Sequence, residues 1–468
     1  MVVANRLKMV DWAFWLFVGA VALLPIGFGG NRPFSFGLAQ AALAASCGCL
    51  FLARDFWQPP RLFRRLVWAL GLFAVVIVWA WLQTQSFIPA AMMHPLWKEA
   101  AQTLTMPVHG AIALSPEDSL QGLNRLITYI IVGLLAYIVG QDPLRARRVV
   151  QAVWLTGAAI CVYGMLAYLF GVVFGAHKIL WMTKTAYEDD LTATFINRNH
   201  FAVYADLVLT SGVALVIQSW REGVLSKRPS ARIQAMREWL RREGAPKLLL
   251  LMLVFVCIAS SHSRAGLILA IVGPGSYIFF YQIYLKAWQR AIAAGLFAIV
   301  FLVVAVSAAW HFSDRFSHLF QDYSSLDRLT VYKLTLAALH DNPWLGYGLN
   351  GFRGVFRLYQ QGMIMEFERA HSDYLESLLD LGLPAGLLLW SAIALLMSGL
   401  ARGIAYRRRH GLFAALGLAA SVVVLGHGLV DFSLQIPGIV FPWAALVGIG
   451  LAQSWRSGEK EPASLVIE

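Results

Sequence analysis

Apolar runs long enough to cross a bilayer follow one another along the chain, separated by short polar segments. They lie near 11–30, 34–53, 66–86, 120–140, 149–174, 199–219, 247–263, 265–285, 291–310, 374–400, 412–430 and 437–455. About 20 residues of helix cover roughly 30 Å of hydrocarbon, and most of these runs are apolar on every face, as lipid-surrounded helices are. The pattern predicts an all-α polytopic membrane protein of about twelve transmembrane helices forming one domain over 1–468. A polar block at 311–372, between the ninth and tenth spans, is expected to be a large helical loop.

Composition agrees: 59% hydrophobic and 14% charged residues, with a mean hydropathy of +0.63, exclude a water-soluble globule. The cations then orient the chain. With the N-terminus inside, Arg6 and Lys8, Arg54 to Arg65, Arg145 to Arg148, the basic segment 220–247, Lys286 and Arg290, Arg402 with Arg407 to Arg409, and Arg456 with Lys460 all fall on one side. Together they are about two thirds of the 38 Lys and Arg, as the positive-inside rule prefers. Both termini are therefore expected in the cytoplasm. The net charge of +12 sits on inner loops where anionic lipid can accept it, so no nucleic-acid partner is implied. Topology gives no reason for Arg315, Arg328, Lys333, Arg353, Arg357 and Arg369 on the outer side; that concentration asks for an anionic ligand.

Smaller signals place the loops. Ser115-Pro116-Glu117-Asp118 starts a helix, with Pro at the first helical position and acids in the first turn. Ile233, Met236, Trp239 and Leu240 alternate with Arg232, Arg237, Arg241 and Arg242 in the pattern of a basic helix lying on the membrane. In the outer block, Ser325 is expected to cap a helix whose apolar face includes Leu329, Leu336 and Leu339 around Tyr332, ending before Asn342-Pro343. Gly346, Gly348, Gly351 and Gly354 follow, and would let backbone approach a ligand closely. Cys47, Cys49, Cys161 and Cys257 sit in spans and are expected to form no disulfide.

Ionisable groups near or within spans are costly and mark candidate chemistry. Arg264, in Ser260-Ser261-His262-Ser263-Arg264, lies where the seventh span turns into the eighth on the outer side. Its guanidinium could hold a diphosphate bidentately or snorkel to headgroups. Asn197-Arg198-Asn199-His200 opens the sixth span, where amides could cap the helix or bind sugar hydroxyls. The upstream Glu188-Asp189-Asp190 is not expected to hold a metal, because three consecutive acids cannot all converge on one ion. Asp206, two turns deeper, is expected to face the interior with a cation or hydroxyl partner. His371, where the polar block re-enters the bilayer, can take a proton from an attacking hydroxyl, with Asp373 and Glu376 close enough in sequence to orient it and Tyr374 beside them.

Asn197-Arg198-Asn199-His200-Phe201-Ala202, Ser263-Arg264-Ala265-Gly266, Asp327-Arg328-Leu329 with Asn342-Pro343-Trp344-Leu345-Gly346-Tyr347-Gly348, and His371 followed by Gly382 together resemble the O-antigen ligase and polymerase superfamily of bacterial inner membranes. The likeness runs from about 90 to 400. It implies a GT-C-like membrane fold and a periplasmic glycosyl transfer from a polyprenyl diphosphate carrier to an acceptor hydroxyl on lipid A core or another glycan, with no cofactor. By the resemblance Arg264 and Arg328 would serve the diphosphate and His371 would be essential; Asn197, Arg198, Asn199 and His200, with Asp373 and Tyr374, are expected from their position to contact substrate. Many relatives have Asn after the histidine, whereas this chain has Ser372-Asp373, which leaves the partner of His371 open. Independently, the periplasm supplies no nucleotide sugars, so the donor must arrive activated on a lipid, and two guanidiniums can take up charge developing on a diphosphate leaving group without a metal. A polymerase shares these motifs. A twelve-helix transporter or flippase is the reading from another class, and for that the long outer block is unusual.

Overall fold

The computed structural model describes residues 2–53, 64–281, 323–360, 367–406 and 411–454. Several sequence expectations lie outside them: the span at 291–310, and Arg54, Arg61, Lys286, Arg290, Arg315, Arg407 to Arg409, Arg456 and Lys460. The side chains of Arg6, Ser325 and Asp327 also lie outside the description.

Eleven of the expected spans coincide with helices. They are α1 (Val2–Leu23), α2 (Pro33–Leu52), α3 (Arg64–Leu82), α5 (Pro116–Val139), α6 (Pro143–Phe174), α7 (Arg198–Trp220), α9 (Ala245–Ser260), α10 (Arg264–Tyr281), α13 (Asp373–Tyr406), α14 (Gly411–His427) and α15 (Pro437–Ala452). Among the described residues nine helical stretches are long and apolar enough to cross a membrane, and α14 and α15 are shorter apolar helices. The chain is a polytopic, all-α integral membrane protein. The remaining helices lie in loops: α4 (Pro95–Leu104), α8 (Arg232–Trp239), α11 (Tyr323–Asp341) and α12 (Phe352–Tyr359), with a two-residue antiparallel hairpin, Lys178–Ile179 against Met182–Thr183.

Burial sorts the spans into layers. Every residue of α15 is buried, as is most of α7 and α14, so these form the centre of the bundle. The small side chains of α15 permit this: a Cβ on Gly448 would collide with the Gly133 carbonyl of α5, so the two backbones touch. By contrast α2 buries one stripe only, Phe36, Ala39, Leu43, Ser46 and Leu50, at helical spacing. Its other face remains for lipid. At one end of the spans, cations also tie helices together: Arg145 pairs with Asp11 at 3.0 Å, Arg147 with Glu222 at 3.1 Å, and Arg65 donates to the Ser398 carbonyl at 2.9 Å.

The loop expectations fare unevenly. Pro116 does open α5, and α11 does end at Asp341, just before Asn342-Pro343. Helix α8 forms and exposes Ile233, Met236 and Leu240. Trp239 does not join that face; it is buried against Trp220, ring centroids 4.9 Å apart, and donates to Ser219 Oγ. In α11 the buried face is Val331, Thr335, Ala338 and Leu339, whereas Leu329 and Leu336 are exposed. The helix already runs through Tyr323, so Ser325 is not its cap. Asp206 is buried as expected, yet neither carboxylate oxygen has a hydrogen-bond partner among the described residues.

The glycine run approaches other parts of the protein rather than open space. Gly346 has φ +68 and lies against the backbone of Asp380 to Gly382, and Gly382, φ +77, interrupts α13 to receive it. Three hydrogen bonds close the joint: the Tyr347 and Gly348 amides donate to the Asp380 carbonyl, and the Leu383 amide to that of Pro343. This seats the polar loop on α13. Above the joint Val331, Tyr347, Phe352, Val355, Phe356, Ala370 and Leu379 form a separate small core that fixes α11 relative to the start of α13.

Candidate active site

His371 is held in a left-handed conformation, φ +52, immediately before α13. A non-glycine residue there costs on the order of 1–3 kcal/mol, a cost that concentrates at functional positions. Tyr332 of α11 fastens it by donating its hydroxyl to the His371 carbonyl at 2.8 Å. The ring then reaches Asp431 in the turn between α14 and α15, Nδ1 to Oδ1 3.2 Å. Asp431 is 1% exposed and His371 21%, so the carboxylate is hidden and the imidazole is reachable. Burial pushes the Asp431 carboxyl up, but the His371 hydrogen bond and the nearby His200 and His427 rings outweigh it and hold it below the usual carboxylate range. An ionised Asp431 accepts a hydrogen bond from Nδ1–H, which leaves Nε2 of His371 as the basic nitrogen.

More of the molecule converges on this pair. His200, in the first turn of α7, brings Nε2 within 3.9 Å of Asp431 Oδ1. Phe432 lies between the rings, with centroids 4.6 Å from His200 and 5.3 Å from His371. Arg328 of α11 donates to the Val430 carbonyl at 3.3 Å. His427 hydrogen-bonds Ser433 Oγ at 2.7 Å. Asp431 Oδ2, His200 Nε2 and His427 Nε2 are nevertheless buried without a hydrogen-bond partner among the described residues. Each such atom costs about 1–3 kcal/mol, and such atoms in a native protein call for a reason, a catalytic role among them.

A second carboxylate organises the neighbouring turn. Asp190 accepts from Arg198 Nη1 at 2.9 Å through one oxygen and meets His262 Nδ1 at 2.6 Å through the other. Burial raises its carboxyl, but the His262 and Arg198 interactions prevail and hold it low. Tyr187 lies beside Arg198, whose guanidinium is 5.6 Å from its ring centroid. Burial raises the Tyr187 phenol, with the charges of Arg198, Asp431, Arg328 and Asp190 acting on it as well. The two turns are also built alike. His262 and His371 both have positive φ, each is followed by a buried serine, Ser263 or Ser372, and each serine accepts from the amide three residues on, at 3.3 and 3.5 Å. The helix then begins on a charged residue, Arg264 or Asp373.

The sequence candidates thus occupy distinct positions. His371 and His200 lie at Asp431 with Arg328 at the adjoining Val430, and Arg198 lies at Asp190 beside Tyr187. Arg264 opens α10 with its side chain exposed, two residues beyond His262. Asn197 caps α7, its Oδ1 accepting from the Asn199 amide at 2.7 Å. Asp373 is buried and accepts from the Leu434 amide at 3.0 Å. Tyr374 stacks on Trp390 at 4.2 Å and donates to the Leu425 carbonyl. Neither Asp373 nor Glu376 orients His371: Glu376 instead takes Arg369 Nη1 at 3.0 Å and the Ala370 amide at 2.8 Å. That role falls to Asp431, which sequence reasoning missed; His427 and Asp431, four apart at the end of an apolar run, were the available signal.

Residues 249–391 match the family model for O-antigen ligase. That segment, less than half of the chain, is similar to an O-antigen ligase domain. The O-antigen ligase match spans Arg264, Arg328 and His371, and ends before Asp431; His200 and Arg198 precede it. No curated protein matches the chain. The family is one of glycosyltransferases, and the matched segment contains the partly exposed His371 imidazole and the Arg264 and Arg328 guanidiniums, while the turn between α14 and α15 supplies the carboxylate behind His371.

Proposed function

We propose that this membrane protein is an O-antigen ligase of the bacterial inner membrane, both termini cytoplasmic, transferring a glycan from a polyprenyl diphosphate to a hydroxyl of lipid A core. The observation that carries the reading is the His371–Asp431 pair beside Arg328, fixed where the spans meet the polar loop. His371 Nε2 takes the proton of the acceptor hydroxyl as that oxygen attacks the anomeric carbon, and the buried Asp431 charge stabilises the imidazolium that forms. The bond from the anomeric carbon to the diphosphate oxygen breaks at the same time. Its electrons pass to polyprenyl diphosphate, whose growing charge Arg328 and Arg264 take up. Guanidiniums supply the electrophilic role in this scheme, so no metal is required.

A polymerase would use the same groups on a glycan hydroxyl. Gene deletion followed by lipopolysaccharide gels separates the two: loss of all long chains with carrier-linked polymer accumulating is the ligase outcome, and core bearing a single repeat is the polymerase outcome. Substitution of His371, Arg328 or Arg264 by Ala is expected to abolish transfer while the protein stays inserted. Full transfer by any one variant removes that residue from the scheme. Uptake of lipid-linked glycan by proteoliposomes without product would favour a transporter.

A further inference from the structure

Two buried carboxylates flank the N-terminal end of α7, and each lies between a residue of that end and a histidine. Asp431 lies at His200 and His371; Asp190 lies at Arg198 and His262. Arg198 and His200 are two positions apart in the first turn, and side chains so spaced do not share a face. The two carboxylates therefore sit on either side of one helix end, separated by roughly its diameter of 10–12 Å. The transfer scheme uses the first pair and leaves His262 and Asp190 without a task.

The second pair has a frame of its own. The Leu191 amide donates to the Ser260 carbonyl at 2.9 Å, tying the Asp190 loop to the end of α9, and Lys184 Nζ donates to the Asp190 carbonyl at 2.6 Å. A Cβ on Gly266 would collide with Ala202, so the start of α10 lies against α7. Asp190 is 7% exposed, whereas the side chains of His262 and Arg198 are 36% and 34% exposed. With Nδ1 of His262 on the carboxylate, Nε2 is the nitrogen left to exchange a proton with a ligand. Asp431 meets two imidazoles; Asp190 meets an imidazole and a guanidinium, which keeps its charge. The first set suits taking up a proton, and the second suits meeting an anion.

We infer that His262, held in position by Asp190, donates the proton that the departing diphosphate takes up, opposite to His371 on the acceptor. The inference rests on the transfer reading above. The acceptor oxygen bonds the anomeric carbon as the bond to the diphosphate oxygen breaks. The acceptor's proton passes to His371 Nε2, and the proton on His262 Nε2 passes to the departing oxygen. Polyprenyl diphosphate then leaves with one negative charge fewer than it would otherwise carry, and solvent returns the proton from His371 to His262. A terminal phosphate takes up its second proton near about pH 6 and an imidazole near about 6.5, so the exchange is close to balanced. Among the described residues, the charged groups around His262 are Asp190 and Arg198, Lys184 on the Asp190 carbonyl, Arg264 two positions on, and the exposed Glu188 and Asp189.

The pH dependence of transfer provides the test. The purified full chain is given polyprenyl diphosphate-linked glycan and lipid A core from about pH 5 to about pH 9, and kcat/KM is read at each pH. A base and an acid acting together give a bell-shaped profile. His262→Gln is expected to lower its peak about a hundredfold, within the range such groups contribute, and to abolish the fall on the alkaline side. Asp190→Asn removes the charge that favours the imidazolium, so its alkaline fall moves to lower pH; Asp190→Glu keeps a carboxylate and holds that fall near the wild-type position. Asp431→Asn moves the acid-side limb instead. A merely structural Asp190 would lower the rate equally at every pH. His262 is partly exposed, so His262→Gln decides the matter even where Asp190→Asn does not fold. Full activity of His262→Gln, or an alkaline limb that it leaves in place, overturns the inference. No transfer by the wild type at any pH sinks the transfer reading and this inference with it. Transfer by the wild type, with variants that keep its alkaline limb, sinks this one alone.

Discussion

At the scale of residues, the arrangement divides labour between an exposed imidazole and a hidden carboxylate. Asp431→Asn keeps shape, removes the charge and adds an amide that can donate, so Nδ1 of His371 no longer faces an acceptor-only group that fixes its tautomer. Transfer is expected to fall about a hundredfold or more, within the range general-base groups contribute, with insertion unchanged in a membrane-fraction blot. The same carboxylate links stability to pH. Its folded pKa lies below the ordinary value of 3.8, so in that interval the unfolded chain binds more protons than the folded one and stability falls as pH falls. Above about pH 4 the contribution is complete. Thermal unfolding of the wild type should therefore steepen in its pH dependence below about pH 4, and Asp431→Asn should flatten it; parallel curves would contradict the pairing. His371 and Arg328 were legible because a polar residue where chain re-enters lipid needs a reason. Asp431 was not, because its partner lies 60 residues away and only the folded bundle brings them together.

At the scale of elements, the polar loop is seated by a glycine joint. Gly346→Ala puts a side chain at φ +68 against the backbone of Gly382. A left-handed conformation alone costs about 1–2 kcal/mol for such a residue, and the collision adds to it. Unfolding temperature and transfer should both drop, and undiminished transfer would show that loop docking is dispensable. Helix positions were legible here from period and from the Asn342-Pro343 stop. The buried face of α11 was not, since it includes Thr335, whose hydroxyl is satisfied by the Val331 carbonyl at 2.7 Å and so tolerates burial. The glycine pattern was visible too, although only coordinates reveal that its partner is the broken helix α13.

At the scale of the whole molecule, lipid-length apolar runs made the span order readable, while the layering was not, because α2 and α15 are both apolar throughout and differ in what surrounds them. Small residues decide that difference. Gly448→Leu drives a side chain into the α5 backbone at Gly133, and overpacking of this kind costs about 1–3 kcal/mol or more. Markedly less folded protein in detergent-solubilised membranes is expected, judged by size-exclusion monodispersity; a monodisperse, fully stable variant would mean the helices part freely. Because Asp431 falls outside the matched segment 249–391, that segment is not a portable cassette. A chimera importing it from another family member would inherit a histidine whose acid belongs to the host's final turn, and exchanges that carry the α14–α15 connection along should succeed where those leaving it behind fail.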